Sequence, residues 1–254
     1  MFEQIISQVG PLTDQVTLHL MGDPLVHPKL SEFIDTCERY EVPIFLVTNG
    51  VLLNSVKEEQ LLRKPIRQVN FSLHSFHDNY GDKDPTIYLN KIFKFTERAF
   101  TERPDLFINY RLWNLDEPLG TGLQNRSMLD RVNTQFQFAF NNDIDVRRKK
   151  SVRIQNKLHL HFDTEFTWPS VDLPVLGERG TCYGLSSHFG ILADGTVVPC
   201  CLDKEGKIPL GNVKEQAILE ILDNERSKKI MQGFRDNKLV ENLCQRCQYI
   251  TRFN

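Results

Sequence analysis

At 254 residues and 29.5 kDa, with 40% hydrophobic and 25% charged residues, the chain can bury one large domain or a domain with a small companion. A formal net charge of −2 excludes the strongly basic footprint that bulk nucleic-acid binding requires. No window is long and apolar enough to span a membrane, and the opening MFEQIISQVG has neither a basic flank nor an apolar signal core. A cytoplasmic location is therefore expected, where clustered cysteines read as metal ligands or catalytic groups before disulfides.

Residues 2–9 are predicted helical, with Phe2, Ile5, Ile6 and Val9 at helical spacing. A β-rich run, QVTLHLM at 15–21, stops abruptly at Gly22-Asp23-Pro24. An amphipathic helix follows over 29–41, then a buried-type strand at 42–47 ending in Thr48-Asn49-Gly50. Residues 54–63 read as a helix and QVNFSL, 68–73, as a strand running into His74 and Ser75. A helix over 87–101, a strand at 106–113, a helix near 122–136 and the strand KLHLHF at 157–162 complete the alternation.

Short apolar strands alternating with helices indicate an α/β fold with a parallel sheet. About five βα units fit before residue 165, too few for a closed eight-stranded barrel, which leaves a partial barrel or an open doubly wound sheet. Because the chain starts with a helix, its first strand lacks the neighbour that a preceding βα unit supplies. A bare apolar edge is an association liability, so the sequence reads as having lost its first βα unit.

The expected boundaries are 1–165 for the sheet domain, 166–180 for a proline-containing connector and 181–254 for a small C-terminal domain. That tail is predicted to hold a hairpin, FGIL at 189–192 and TVVPC at 196–200 around Asp194-Gly195, then helices near 214–223 and 225–233. The basic run Arg147, Arg148, Lys149, Lys150 and Arg153 reads as a solvated loop in preference to a polyanion or acidic-peptide site.

Five of the six cysteines lie in the tail. Cys182 and Cys200 are separated by 17 residues, with Gly195 placing the turn that returns Cys200 toward Cys182. Cys244 and Cys247 have the C-x2-C spacing that brings two thiolates to one metal from a tight turn. Four thiolates suit zinc or an iron–sulfur cluster, and spacing leaves both open. Cys201 would face away from Cys200 on a strand, and Cys37 falls on the apolar stripe of a helix.

Three successive strand ends form a second constellation: Gly22-Asp23-Pro24, Thr48-Asn49-Gly50 and Ser72-Leu73-His74-Ser75. In α/β sheets such ends line the ligand crevice, and small residues there permit close backbone approach. Asn109 and Arg111 share a face of the following strand, turned either to that crevice or to the solvated side, and His159 and His161 share a face farther on. The two histidines lack a partner carboxylate or third histidine, so they read as lining or surface residues rather than a metal pair.

LMGDPLVHPKL, FLVTNGVLL and VNFSLHSF together resemble the core of the radical S-adenosylmethionine (SAM) enzymes. The resemblance implies a partial (β/α)6 TIM-like barrel, here missing its first βα unit, with Gly22, Asp23 and Pro24 in place of the Gly-Glu-Pro motif that meets the methionine amino group of SAM. Thr48, Asn49 and Ser72 then match turn and strand residues near the cofactor, and Asn109 and Arg111 join them as candidate cofactor-binding residues. The tail is similar to a SPASM/twitch domain, a small α+β domain carrying auxiliary [4Fe-4S] clusters, which assigns Cys182, Cys200, Cys244 and Cys247 to one cluster. The family's CxxxCxxC segment, which binds the catalytic cluster, is absent from the sequence.

That resemblance implies an enzyme in which a cluster reduces SAM, and the radical so formed takes a hydrogen atom from a substrate. The expected partners are SAM, a peptide or protein substrate and a reductase or flavodoxin-type electron donor. Because the catalytic cluster ligands are missing, enzymatic activity is left open. The alternative is a non-catalytic remnant or binding module with a structural zinc or iron–sulfur tail.

Overall fold

The computed structural model describes residues 1–115, 125–140, 145–165 and 167–253. Two compact units are present, one of Met1–Leu12 with Phe166–Asn254 and one of Thr13–Glu165. The first helix, α1 (Phe2–Val9), buries Ile6 and Val9 and falls with the tail instead of with the strands. Two side chains attach it there: Gln8 Oε1 accepts from the Ile218 N–H at 2.9 Å, and Gln4 Nε2 donates to the Val213 carbonyl at 3.5 Å.

In the Thr13–Glu165 unit the strands are β1 (Val16–Thr17), β2 (Ile44–Thr48), β3 (Ile66–Ser72), β4 (Phe107–Leu115), β5 (Ser151–Gln155) and β6 (Leu158–Thr164). They form one sheet in the order β1-β2-β3-β4-β6-β5, parallel throughout except for β5, which runs antiparallel to β6. The helices between them are α2 (Leu30–Arg39), α3 (Ser55–Leu61), α4 (Ser75–Tyr80), α5 (Thr86–Glu102) and α6 (Arg126–Phe136). The start of the predicted helix near 122 lies outside the described residues.

Two strand expectations change. The run 15–21 keeps only two paired residues, Val16 and Thr17. As the edge strand it has a single neighbour to satisfy its backbone, and past Thr17 the chain leaves the ladder, with the His19 ring tilted against Phe45 at 5.6 Å. Strand β5 went unpredicted, because its sequence SVRIQ is short and lies beside a run of charge.

Register explains which residues meet. Val47, Asn70, Asn109 and His159 are successive cross-strand partners, and Ser72, Arg111 and His161 form the next row. Side chains alternate between faces, so these polar residues share one face. The opposite face is apolar: Phe71, Tyr110 and Leu160 are fully buried, Phe71 and Phe95 pack edge-on at 5.7 Å, and Phe136 packs against Phe93 at 5.4 Å. Cys37 is fully buried in α2, as its place on the apolar stripe required.

In the other unit, β7 (Gly190–Ile191), β8 (Thr196–Val198) and β9 (Gly211–Asn212) form a three-stranded antiparallel sheet, followed by α7 (Ile218–Leu222) and α8 (Glu225–Arg235). The predicted Asp-Gly hairpin is present. Gly195 has φ +95°, and a Cβ there would lie 2.6 Å from Asn212 Oδ1, so only glycine fits the turn. Strand β8 ends at Val198, which puts Cys200 and Cys201 in the turn beyond it; the alternation argument for Cys201 therefore does not apply, and its side chain is exposed.

Candidate functional site

The strand ends of the sheet unit are held together by one carboxylate. Asp23 accepts from Thr48 Oγ1 at 2.8 and 3.0 Å, from the Asn49 N–H at 2.7 Å and from the Leu25 N–H at 2.9 Å. Thr48 Oγ1 in turn accepts from the Gly50 N–H at 3.0 Å, and Asn49 Oδ1 from the Val51 N–H at 2.9 Å. From the helix side, Tyr88 Oη donates to the Asn49 carbonyl at 2.7 Å. Burial, then the nearby Asp23 charge, raises the Tyr88 phenol above its ordinary value, so it stays a donor.

Gly22 is left-handed, with φ +80° and no atom within 4 Å of where a Cβ would stand. Its backbone is thus open on one side while the following carboxylate is fully engaged. Gly50, φ +73°, is closed instead: a Cβ would press on Ile92 at 3.0 Å and Phe71 at 3.1 Å. Ser72 ends β3, half-buried, its carbonyl accepting from Ser75 Oγ at 2.7 Å. His74 sits with Nδ1 3.1 Å from the Arg111 carbonyl oxygen, and His77 Nδ1 lies 2.9 Å from the Gly81 carbonyl oxygen.

On the polar face, Asn109 Nδ2 and Gln68 Nε2 both donate to Asn70 Oδ1, at 2.7 and 3.0 Å. Asn70 is fully buried, and its Nδ2 is without a partner among the described residues. One row over, the Arg111 guanidinium lies 4.2 Å above the Trp113 ring and 5.6 Å from the Phe45 ring. Trp113 Nε1 donates to His161 Nδ1 at 2.8 Å. That bond requires an unprotonated Nδ1, and burial followed by the Arg111 charge lowers His161 to about 4, so the imidazole is neutral. His19 is also lowered to about 4 by burial and then Arg111. His159 keeps Nδ1 3.3 Å from the Lys157 carbonyl oxygen.

Sequence reading missed Gln68, Asn70, Trp113, His19 and Tyr88. Gln68 and Asn70 share the i, i+2 period with Ser72 and were accessible to the same argument. Tyr88 and His19 reach the site from a helix and an edge loop, and no local pattern marks them.

In the tail, Gly184 lies beside two of the expected cysteines, Cys182 and Cys200. A Cβ on Gly184 would lie 3.8 Å from both Cys182 Sγ and Cys200 Cβ, and 3.1 Å from the Pro199 carbonyl oxygen. The Gly184 N–H points at Cys182 Sγ at 3.4 Å. Cys244 and Cys247 flank a single 3₁₀ turn in which the Cys247 N–H donates to the Cys244 carbonyl at 3.2 Å. Arg246 Nε donates to the Leu173 carbonyl at 2.7 Å, and the Leu176 N–H to the Gln245 carbonyl at 2.8 Å, which ties that turn to residues 173–176.

The thiols also feel one another. Burial pushes Cys200 up to about 12, with Cys201 and Cys182 adding to the effect. Burial raises Cys244 too, followed by Cys200, Cys182 and Cys247 in turn. Cys247 is raised by burial and by Cys182. Half-buried thiolates that repel one another are stabilised together by a cation or a cluster, so the donor set suits a soft thiophilic centre. Among the described residues no group of three or more His, Cys, Asp or Glu is placed so that it could hold a metal ion.

Residues 182–248 match the family model of SPASM, an iron-sulfur cluster-binding domain. No curated protein sequence matches the chain. Among solved structures, BtrN in complex with AdoMet and 2-DOIA is 17% identical, with a TM-score of 0.59, covering 97% of this chain and 78% of BtrN. Streptococcus suis SuiB bound to precursor peptide SuiA is 14% identical at a TM-score of 0.58, covering 98% of this chain and 62% of SuiB. Native anSMEcpe with bound AdoMet and Cp18Cys peptide is 12% identical at a TM-score of 0.52, covering 98% and 77%. These neighbours are radical SAM enzymes, and at such identities the likeness speaks for the fold. The chain thus shares the fold of radical SAM enzymes, and its residues 182–248 carry the SPASM iron-sulfur signature.

Proposed function

We propose that the chain is a radical SAM-type protein whose sheet unit binds SAM and whose tail holds an auxiliary iron–sulfur cluster, with a peptide or protein as substrate; the CxxxCxxC ligands that SAM cleavage requires are absent from this sequence. The observation that carries this reading is the coincidence of two features: a SPASM match bounded by Cys182 and Gln248, and strand ends locked by Asp23 in a fold shared with radical SAM enzymes. The peptide class is taken from two of those neighbours, SuiB and anSMEcpe, whose structures hold a precursor peptide and the Cp18Cys peptide.

In this reading the sheet unit is a partial barrel. What supports it is the run of parallel strands β1 to β4 and β6 with intervening helices, and the Arg111 guanidinium of β4 lying 5.6 Å from the Phe45 ring of β2 across the polar face. The open Gly22 backbone receives the amino group of SAM. Asp23 fixes both flanking loops, and Ser72, Asn109 and Arg111 face the cofactor. In the tail, Cys182, Cys200, Cys244 and Cys247 hold one auxiliary cluster, and residues 167–180 brace the C-x2-C turn.

When bound, the auxiliary cluster would supply one-electron chemistry that no side chain here can provide, whereas reductive cleavage of SAM would need a second cluster whose CxxxCxxC ligands this sequence lacks. The chain's own share is to hold, orient and shield. Trp113 and the neutral His161 give the polar face a fixed donor pattern, with Arg111 as its positive charge. The amide row of Gln68, Asn70 and Asn109 closes the face beneath them.

Anaerobic reconstitution followed by iron, sulfide and zinc analysis tests the tail, and calorimetric titration with SAM tests the strand ends. The expected result is about four irons with matching sulfide per chain, an EPR signal on reduction, and saturable SAM binding. Zinc without sulfide, or no SAM binding by the loaded protein, overturns the reading.

A further inference from the structure

The basic run that the sequence treated as a solvated loop leads directly into β5, and β5 is the last strand of its sheet. The Lys150 carbonyl accepts from the Phe162 N–H at 2.8 Å, which sets the hydrogen-bonding phase of the β5–β6 pair. In an antiparallel ladder bonded and non-bonded pairs alternate. Val152, opposite Leu160, therefore turns its backbone toward β6, while Ser151 and Arg153, opposite His161 and His159, turn theirs away. Nothing among the described residues pairs with this outer edge.

Among the described residues around that edge stand five cations, Arg147, Arg148, Lys149, Lys150 and Arg153, against two carboxylates, Asp145 and Asp163. Lys150 is committed to the buried Asp163 at 3.0 Å. Arg147 and Arg148 meet Asp145 at 2.9 and 3.7 Å, but the Arg148 side chain is 88% exposed, and surface pairs of this kind are readily exchanged. In a chain of net charge −2 this is a concentrated positive patch beside free backbone donors and acceptors.

We propose that the outer edge of β5, with Arg147, Arg148, Lys149 and Arg153, docks an extended acidic segment of a peptide or protein partner as an added antiparallel strand. Main-chain pairing to Ser151 and Arg153 supplies the register, and the cations select carboxylate side chains. A peptide is favoured over a nucleic acid because the edge offers a strand-pairing surface, and no aromatic side chain interleaves the cations for base stacking. The site is distinct from the SAM and cluster residues, so its failure would leave the proposed function standing.

The test is fluorescence anisotropy on the full chain with four labelled probes: an alternating Glu-Val decapeptide, its Lys-Val counterpart, the acidic peptide with proline at alternate positions, and an RNA decanucleotide. The acidic peptide is expected to bind saturably and to weaken with salt. Binding should fall about tenfold in the Arg148→Glu, Lys149→Glu double variant and about fivefold in Ser151→Pro, whose lost N–H belongs to the outer edge. If Ser151→Pro does not fold, the proline-bearing peptide reads the same hydrogen bonds from the other side. Equal binding of the Lys-Val or proline-bearing peptide, tighter binding of RNA, or no saturable binding overturns the proposal.

Discussion

Asp23 and Thr48, 25 residues apart in sequence, meet through two contacts of 2.8 and 3.0 Å between one hydroxyl and both oxygens of one carboxylate. With the Asn49 N–H on the same carboxylate, the loops after β1 and β2 become one unit. Hydrogen bonds to a charged acceptor are among the stronger kind. Asp23→Ala should therefore cost about 2–4 kcal/mol and abolish SAM binding, measured by urea unfolding and calorimetry. Asp23→Asn should fall between, since its amide nitrogen cannot accept from the Asn49 N–H. Wild-type SAM affinity in Asp23→Ala would remove this carboxylate from the site.

The cysteine assignment makes a paired prediction. Cys244→Ser should abolish the auxiliary cluster, whereas Cys37→Ser should leave iron content unchanged and only lower stability, because Cys37 is fully buried in α2. Iron and sulfide counts after reconstitution separate the two. Equal loss in both variants would refute the ligand set.

Gly184 offers a test that leaves every thiol in place. A Cβ there would stand 3.1 Å from the Pro199 carbonyl oxygen and 3.8 Å from Cys182 Sγ and Cys200 Cβ, so Gly184→Ala asks that carbonyl to shift slightly, while Gly184→Val would crowd the two cysteines proposed to hold the cluster. Iron content should be near normal in the first and reduced at least severalfold in the second, with secondary structure by circular dichroism retained in both.

The neutral histidines of the polar face predict acid sensitivity. His161 and His19 are lowered from 6.5 to about 4, so between those values the unfolded chain binds protons that the folded chain does not. Their stabilising effect is complete above about pH 6.5 and is lost as pH falls toward 4. Allowing for partial exposure of His161, the pair should lower stability by about 1–2 kcal/mol between pH 7 and 5. His161→Asn should flatten that slope in urea unfolding followed across the range. An unchanged slope would show that His161 binds its proton equally well in the folded and unfolded chain, against the lowered value. Trp113→Phe, which keeps a ring under Arg111 but removes the donor to His161, should raise the His161 titration measured by NMR.

The sequence by itself determined the alternation of strands and helices, because apolar periodicity is local and each element carries its own. It also determined the Asp-Gly hairpin and the C-x2-C turn, whose constraints span a few residues. It placed Asp23, Thr48 and Asn49 at strand ends but could not show that a single carboxylate joins them, since that bond depends on β1 and β2 being neighbours in register. It read seven residues of β1 where two pair, because the strength of an edge strand depends on how many neighbours it has. Grouping α1 with the tail rests on Gln8 and Gln4 bonding to residues more than 200 positions away, a contact without local signature. Strand β5 turned a charged loop into the border of a sheet. Only tertiary structure decides which backbone groups at such a border remain unpaired, because each strand's hydrogen bonds are completed by another strand.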